Sequence, residues 1–140
     1  MKNSSFPYSY WVKFLGAGII LLGVYSFLRQ YLVKDIIDTN ELAIGLSWGL
    51  LFIFFSKEKA DDEMIHELKF RSLTRAVITA FVITHLYNYL VLNWRLKRDQ
   101  DMILSISAYQ FLALTMLMAT ALFYYYRSQA AINEPNEEHH

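Results

Sequence analysis

The run AVITAFVITHLYNYLVLNW, residues 76–94, contains no aspartate, glutamate, lysine or arginine. A helix needs roughly 20 apolar residues to cross about 30 Å of hydrocarbon, and this run meets that length. Three further stretches lack acidic residues, namely 10–28, 43–55 and 102–126. The stretch 43–55 is the shortest, and local thinning of the bilayer can accommodate it. The pattern predicts an all-α protein built as an integral membrane four-helix bundle.

The predicted boundaries follow from these stretches and from the polar residues that separate them. We expect a single membrane domain over 1–127, with spans at about 10–30, 41–56, 62–94 and 102–127. The polar segment 128–140 is predicted to be a disordered tail, and His139 and His140 within it are set aside. The alternative is a soluble bundle of very apolar helices, but helices that are apolar all round have no face for water.

The third helix is predicted to extend into the cytoplasm. No glycine or proline occurs between Gly49 and Pro135, and Asp61 or Asp62 is placed to cap a helix start. A helix from there to Trp94 would measure about 48 Å, whereas the bilayer takes about 30 Å and is crossed by 76–94. The cytoplasmic surface of this helix is predicted to carry Asp62, Glu63, His66, Glu67 and Arg71.

Basic residues indicate which side of the membrane each loop occupies, because loops rich in lysine and arginine stay in the cytoplasm. With four spans, both termini and the loop 57–75 share one side. That side carries eight basic residues, namely Lys2, Lys13, Lys57, Lys59, Lys69, Arg71, Arg75 and Arg127. The other side carries five, namely Arg29, Lys34, Arg95, Lys97 and Arg98. Both termini are therefore predicted to be cytoplasmic.

Glycines in the first two spans predict close helix packing. Gly45 and Gly49 are four residues apart and share one helix face, which lets a neighbouring backbone approach closely. The neighbour is either a second copy of the chain or the first span, where Gly16 and Gly23 offer matching positions.

Few polar residues fall within the predicted spans. His85 and Asn88 share a face of the third span, and Gln110 lies in the fourth. Ionisable groups at membrane depth are candidate functional groups, so these three residues are either interhelical hydrogen-bonding partners or the lining of a transport site. A lone intramembrane histidine does not supply the two axial ligands of a membrane haem.

A metal site is a minor alternative. Glu63 and His66 have the Glu-x-x-His spacing that carboxylate-bridged di-iron bundles use twice, but it occurs here once. The chain has no cysteine, which removes disulfides and thiolate metal sites. Lysine and arginine number 13 and aspartate and glutamate number 13, so no broad cationic surface invites nucleic acid. No cofactor is predicted.

The segment DDEMIHELKFRSLTRAV, residues 61–77, places an acidic pair and a helix turn before a basic residue, a serine and the third span. In this it resembles small uncharacterised four-span bacterial membrane proteins, which implies the bacterial inner membrane and no particular activity. The length and span number are also similar to those of small multidrug exporters, which place a glutamate within the first span. Here that span carries Lys13, which argues against proton-coupled export.

Three functions remain open from the sequence. The leading one is a non-enzymatic accessory or regulatory subunit that binds the lipid bilayer, a second copy, or a membrane or cytosolic protein. The second is an oligomeric transporter or channel around His85, Asn88 and Gln110. The third is a metal-dependent enzyme at the membrane surface that uses Asp62, Glu63, His66 and Glu67.

Overall fold

The computed structural model describes residues 9–59, 63–92 and 105–133. Within these ranges the fold is all-α and contains four α-helices and no β-strand. The helices are α1 (Val12–Lys34), α2 (Thr39–Phe55), α3 (Glu63–Leu86) and α4 (Ala108–Asn133), and a π-helical segment, Tyr87–Leu92, follows α3 directly.

The turn between α1 and α2 is defined by two aspartates. Asp35 ends α1 in the left-handed conformation, with φ 54°, and its N–H donates to the carbonyl of Tyr31 at 3.2 Å. Asp38 then caps α2, since its carboxylate accepts from the N–H groups of Asn40 at 3.0 Å and Glu41 at 3.3 Å. Both arrangements satisfy backbone groups that a helix end leaves unpaired.

Two predicted boundaries differ from the observed ones. The predicted third helix, 62–94, is divided into α3 and the π-helical segment that ends at Leu92, while Asp62 and the residues after Leu92 lie outside the described residues. The predicted disordered tail starts too early, because α4 continues through residues 128–133 and ends at Asn133. The remainder of that tail, 134–140, lies outside the described residues.

The helices pack side by side in the order α1, α2, α4, α3. The contact between α1 and α2 is built on two glycine pairs. A Cβ added to Gly16 would lie 2.6 Å from the carbonyl oxygen of Gly49, and one added to Gly23 would lie 3.0 Å from the Cα of Gly45. The Gly45 and Gly49 face is thus occupied by the chain's own first helix, which is one of the two arrangements that the sequence allowed.

The first turns of α3 are packed within the bundle. Ile65, Lys69 and Ser72 on this segment are buried. Ile65 belongs to the apolar core together with Phe54 of α2 and Phe123 of α4. The start of α3 is thus packed against α2 and α4, and its extension into the cytoplasm stays a prediction.

Large apolar side chains are exposed along all four helices. Leu21 and Leu22 of α1, Trp48 of α2, Ile78 and Phe81 of α3, and Leu112 of α4 are among them. In the part of the chain that the structure describes, α1 and α4 are the helices long and apolar enough to cross a membrane. By contrast, α2 is apolar but short, and α3 begins with charged residues.

The glycine contact leads to a test on α1. Gly16→Ala is expected to lower the free energy of unfolding by about 1–3 kcal/mol, because the new methyl group forces the backbones of α1 and α2 apart. Gly18→Ala is the matched control, since a Cβ there meets nothing within 4 Å and alanine favours a helix by about 1 kcal/mol. Thermal unfolding followed by circular dichroism measures both, and equal changes would contradict the glycine contact.

Candidate functional site: the Glu58 cluster

A buried ionic cluster joins all four helices at one end of the bundle. We name it the Glu58 cluster, and it consists of Lys13, Glu58, Lys69 and Arg127. Glu58 lies just after α2, and its partners come from α1, α3 and α4 respectively. The Glu58 side chain is only 4% exposed. This one carboxylate therefore contacts groups from every other helix.

The three cations are divided between the two oxygens of the Glu58 carboxylate. Lys13 donates to Oε1, Lys69 Nζ lies 3.7 Å from the same oxygen, and Arg127 Nη1 lies 3.0 Å from Oε2. Lys13 is 16% exposed and Arg127 is 40% exposed, so two of the three cations retain some contact with solvent. That contact reduces the cost of gathering three positive charges around one negative charge.

Lys69 is the most buried cation of the cluster, with 1% of its side chain exposed. Its Nζ donates to the carbonyl oxygen of Ser56 at 2.6 Å. The same ammonium lies 5.3 Å from the ring centre of Phe123 and 5.9 Å from that of Phe54. Carbonyl, carboxylate and aromatic faces together replace the water that a lysine loses on burial.

The electrostatics keep Glu58 ionised. Burial by itself raises the pKa of the Glu58 carboxyl, but the hydrogen bond from Lys13 and the positive charges of Lys13, Lys69 and Arg127 outweigh it. The net result is a pKa below the ordinary value of 4.5. A carboxylate held ionised in this way accepts hydrogen bonds and is poorly suited to exchange protons near neutral pH.

The opposite end of the bundle is held by neutral hydrogen bonds. Gln110 donates to the hydroxyl of Thr39 at 2.8 Å, which joins the starts of α4 and α2. Ser107 donates to the side chain of Asn40, and its own N–H donates to Gln110 Oε1 at 3.1 Å. Asn88, at the end of the third helix, accepts from the N–H of Ile106 at 2.9 Å.

The grouping of His85, Asn88 and Gln110 stays a prediction, and the contacts of each residue are as follows. Asn88 and Gln110 both bond the short segment before α4, but through separate hydrogen bonds. His85 is exposed, with its Nδ1 3.1 Å from the carbonyl oxygen of Phe81 and its ring 4.2 Å from the ring centre of Phe81. His85 therefore contacts Phe81 of its own helix. Asn88 and Gln110 instead bond the segment before α4, at the end of the bundle.

The residues predicted to lie on the cytoplasmic surface of the third helix differ in their exposure. Glu63, Glu67 and Arg71 are exposed and His66 is half-buried. Arg71 lies over the ring of Tyr126 on α4, 5.3 Å from its centre. In the described ranges 9–59, 63–92 and 105–133, no three histidine, aspartate or glutamate side chains are grouped as a metal site.

Sequence reasoning missed Glu58 and the burial of Lys69. A signal was nevertheless present, because Glu58 lies two residues after the end of an uncharged run and is flanked by Lys57 and Lys59. The ends of the other helices that share its side carry Lys13, Lys69 and Arg127. A single acidic residue at the depth where three other helices each place a basic one is the pattern of a shared ion pair.

Comparisons with family models, with curated proteins and with solved structures found no match for this chain. The resemblance to small four-span bacterial membrane proteins stays a prediction on that basis.

The Glu58 cluster predicts a pH-dependent contribution to stability. Glu58→Gln is expected to lower the free energy of unfolding at pH 7 by about 3 kcal/mol, because three cations lose their shared anion. Since the folded pKa is lowered, this contribution is present above pH 4.5 and is lost as the pH falls through the folded value. The gap in unfolding temperature between wild type and variant should therefore close in acid.

Glu63→Gln, at an exposed position on α3, is the matched control for that experiment. Its effect on stability should stay within about 0.5 kcal/mol at every pH. If the wild type and Glu58→Gln differed by the same amount at pH 7 and in acid, the ionised cluster would not be what stabilises the bundle end.

Proposed function

We propose that this chain is a four-span protein of the bacterial inner membrane that acts as a non-enzymatic accessory subunit. The membrane part of the proposal is supported by the distribution of side chains. Apolar residues cover the outside of the helices, while charged Glu58 and Lys69 are buried inside. Water favours the reverse distribution, whereas lipid accepts apolar side chains on the outside and requires polar groups to be paired inside.

The proposed orientation places the Glu58 cluster at the cytoplasmic face. The cluster itself gathers three basic residues there, and exposed Arg71 and Arg75 follow on α3. The opposite end carries fewer basic residues in the described part of the chain, namely Arg29 and Lys34 of α1. This asymmetry agrees with the rule that lysine and arginine accumulate on the cytoplasmic side.

Cysteine labelling tests the orientation, because the chain has no cysteine of its own. Lys59→Cys lies beside the Glu58 cluster and Ile37→Cys lies in the turn at the other end, and both positions are exposed. In intact spheroplasts a membrane-impermeant maleimide should label Ile37→Cys at once, and Lys59→Cys only after permeabilisation. Labelling of both variants in intact cells, or recovery of the chain in the soluble fraction, would refute the membrane proposal.

The interaction role is carried by a recess between α2 and α4. It has a volume of about 310 Å³ and is lined by Ser47, Trp48, Leu51, Tyr109, Leu112 and Met116. The Ser47 hydroxyl donates to the carbonyl of Ile44, so the recess presents an almost entirely apolar surface. Two features that suggested an interaction from the sequence have other roles, since Gly45 packs on Gly23 and the start of α3 packs on α4.

A second copy of the chain is the occupant that fits this recess. Trp48 stands at the recess and is 56% exposed, with its ring held 6.2 Å from that of Phe52. A two-fold interface needs one patch that carries both a projection and a recess, so that each partner fills the other. The α2–α4 face has both, and packing in lipid depends on such shape complementarity.

Oxidative cross-linking in membranes tests this contact. Leu112→Cys, at the recess, is expected to form a disulfide-linked dimer on mild oxidation, because the two-fold contact places the α2–α4 faces of the two copies against each other. Leu22→Cys on α1 is the matched control, since it is an exposed leucine on a different helix. Denaturing gels without reductant give the dimer fraction of each variant.

Equal dimer fractions for Leu112→Cys and Leu22→Cys would indicate random collision and would refute the two-fold contact. A cross-link from Leu112→Cys to a different protein would assign the recess to a heterologous partner in place of a second copy.

A further inference from the structure

Two arginines on α3 and one tyrosine on α4 form a second cationic surface, which is exposed. Arg71 and Arg75 are four residues apart and both are exposed. Each guanidinium lies 5.3 Å from the ring centre of Tyr126, and Arg75 also donates to the Tyr126 hydroxyl. Both guanidinium groups therefore lie against the same tyrosine ring.

Neither arginine is neutralised within the described part of the chain. The ion pairs found there involve Lys13, Lys69 and Arg127, all with Glu58, and none involves Arg71 or Arg75. Two positive charges therefore lie at the exposed surface, and Arg75 has donors beyond the one given to Tyr126. Guanidinium groups bind phosphate oxygens through paired N–H donors, and two of them match a single phosphodiester well.

The surroundings of these arginines are apolar. Phe70 precedes Arg71 and is 74% exposed, and Ile78 follows Arg75 and is 61% exposed. Tyr125, beside Tyr126, is also exposed. Tyrosine and arginine next to exposed apolar side chains are typical of the depth where lipid headgroups meet hydrocarbon. A soluble anion would contact the guanidinium groups alone. A phospholipid would contact both the guanidinium groups and the exposed apolar side chains around them.

We propose that Arg71, Arg75 and Tyr126 form a binding site for the phosphate of an anionic phospholipid, an inference that rests on the membrane location proposed above. The two guanidinium groups bind the phosphodiester, and the acyl chains lie along the exposed apolar side chains of α3. Lys69 takes no part, because it is turned inward to Glu58 and the Ser56 carbonyl.

Lipid retention by the purified full-length chain tests the site. The chain is exchanged into micelles with equal amounts of phosphatidylglycerol and phosphatidylcholine, and native mass spectrometry gives the ratio of the two lipids that remain bound. The wild type should retain phosphatidylglycerol preferentially. Arg71→Gln with Arg75→Gln should reduce that preference by about 10- to 30-fold, because two cations near the headgroup are lost.

Arg29→Gln with Lys34→Gln is the matched control, because it removes two exposed positive charges from the opposite end of the bundle. Its lipid preference should equal that of the wild type. Equal losses in both double variants would show a general charge effect and would overturn the site. Displacement of phosphatidylglycerol by excess inorganic phosphate, or by a soluble acidic peptide, would overturn it in favour of a free phosphate or a cytosolic partner.

Two further measurements distinguish failure of the lipid site from unfolding of the variant and from failure of the membrane proposal. If the double variant unfolds, Arg71→Gln alone is measured, because Arg71 contacts Tyr126 only through its ring face. A folded single variant with unchanged preference would overturn the site. If the chain needs detergent but shows no lipid preference, this site fails and the membrane proposal stands; if it is soluble without detergent, both fail.

Discussion

The ionised carboxylate of Glu58 is the interaction on which the arrangement of the helices depends. Burying a charge costs several kcal/mol unless partners replace the lost water. Here the partners come from three helices, so the cost is met only when all of them occupy their places at once. A displacement of α1, α3 or α4 along its axis would leave a charge unpaired. We infer that the cluster fixes the relative heights of the helices more than it adds net stability.

The glycine contact between α1 and α2 adds to the constraint that the Glu58 cluster places on the helices. In the proposed membrane setting, burial of apolar surface does not drive helices together, so association depends on close packing and on polar bonds. On α1 these are the two glycine pairs, the ion pair of Lys13 and the hydrogen bond from Ser26 to Glu41. The ion pair and the hydrogen bond lie towards opposite ends of α1, and the glycines lie between them. An outer helix that is mostly exposed is thereby held along its length.

Much of the helical architecture was predictable from the sequence, but the contacts between side chains were less so. Runs without acidic residues predicted the helices, because a helix is marked by a continuous stretch of residues along the sequence. Contact between the glycines of α1 and α2 was one of the two predicted arrangements, because small residues four apart on α2 favour close packing with either partner. The burial of Lys69 was not predicted, because a charged residue near a predicted span has the same sequence pattern whether it faces lipid headgroups or a carboxylate in the preceding loop.

The start of α3 places its basic residues in two different surroundings, the buried Glu58 cluster and the exposed surface of the bundle. Lys69 and Arg71 lie about 160° apart around the helix axis, whereas Arg71 and Arg75 lie about 40° apart. When α3 packs on α4, Lys69 turns into the bundle and the two arginines turn out together. The chemistry follows the geometry: a compact ammonium fits the small space between a carboxylate, a carbonyl and two rings, whereas planar guanidinium groups suit stacking on Tyr126 at an open surface. The face that contacts Glu58 therefore also determines which basic residues remain available to the surroundings.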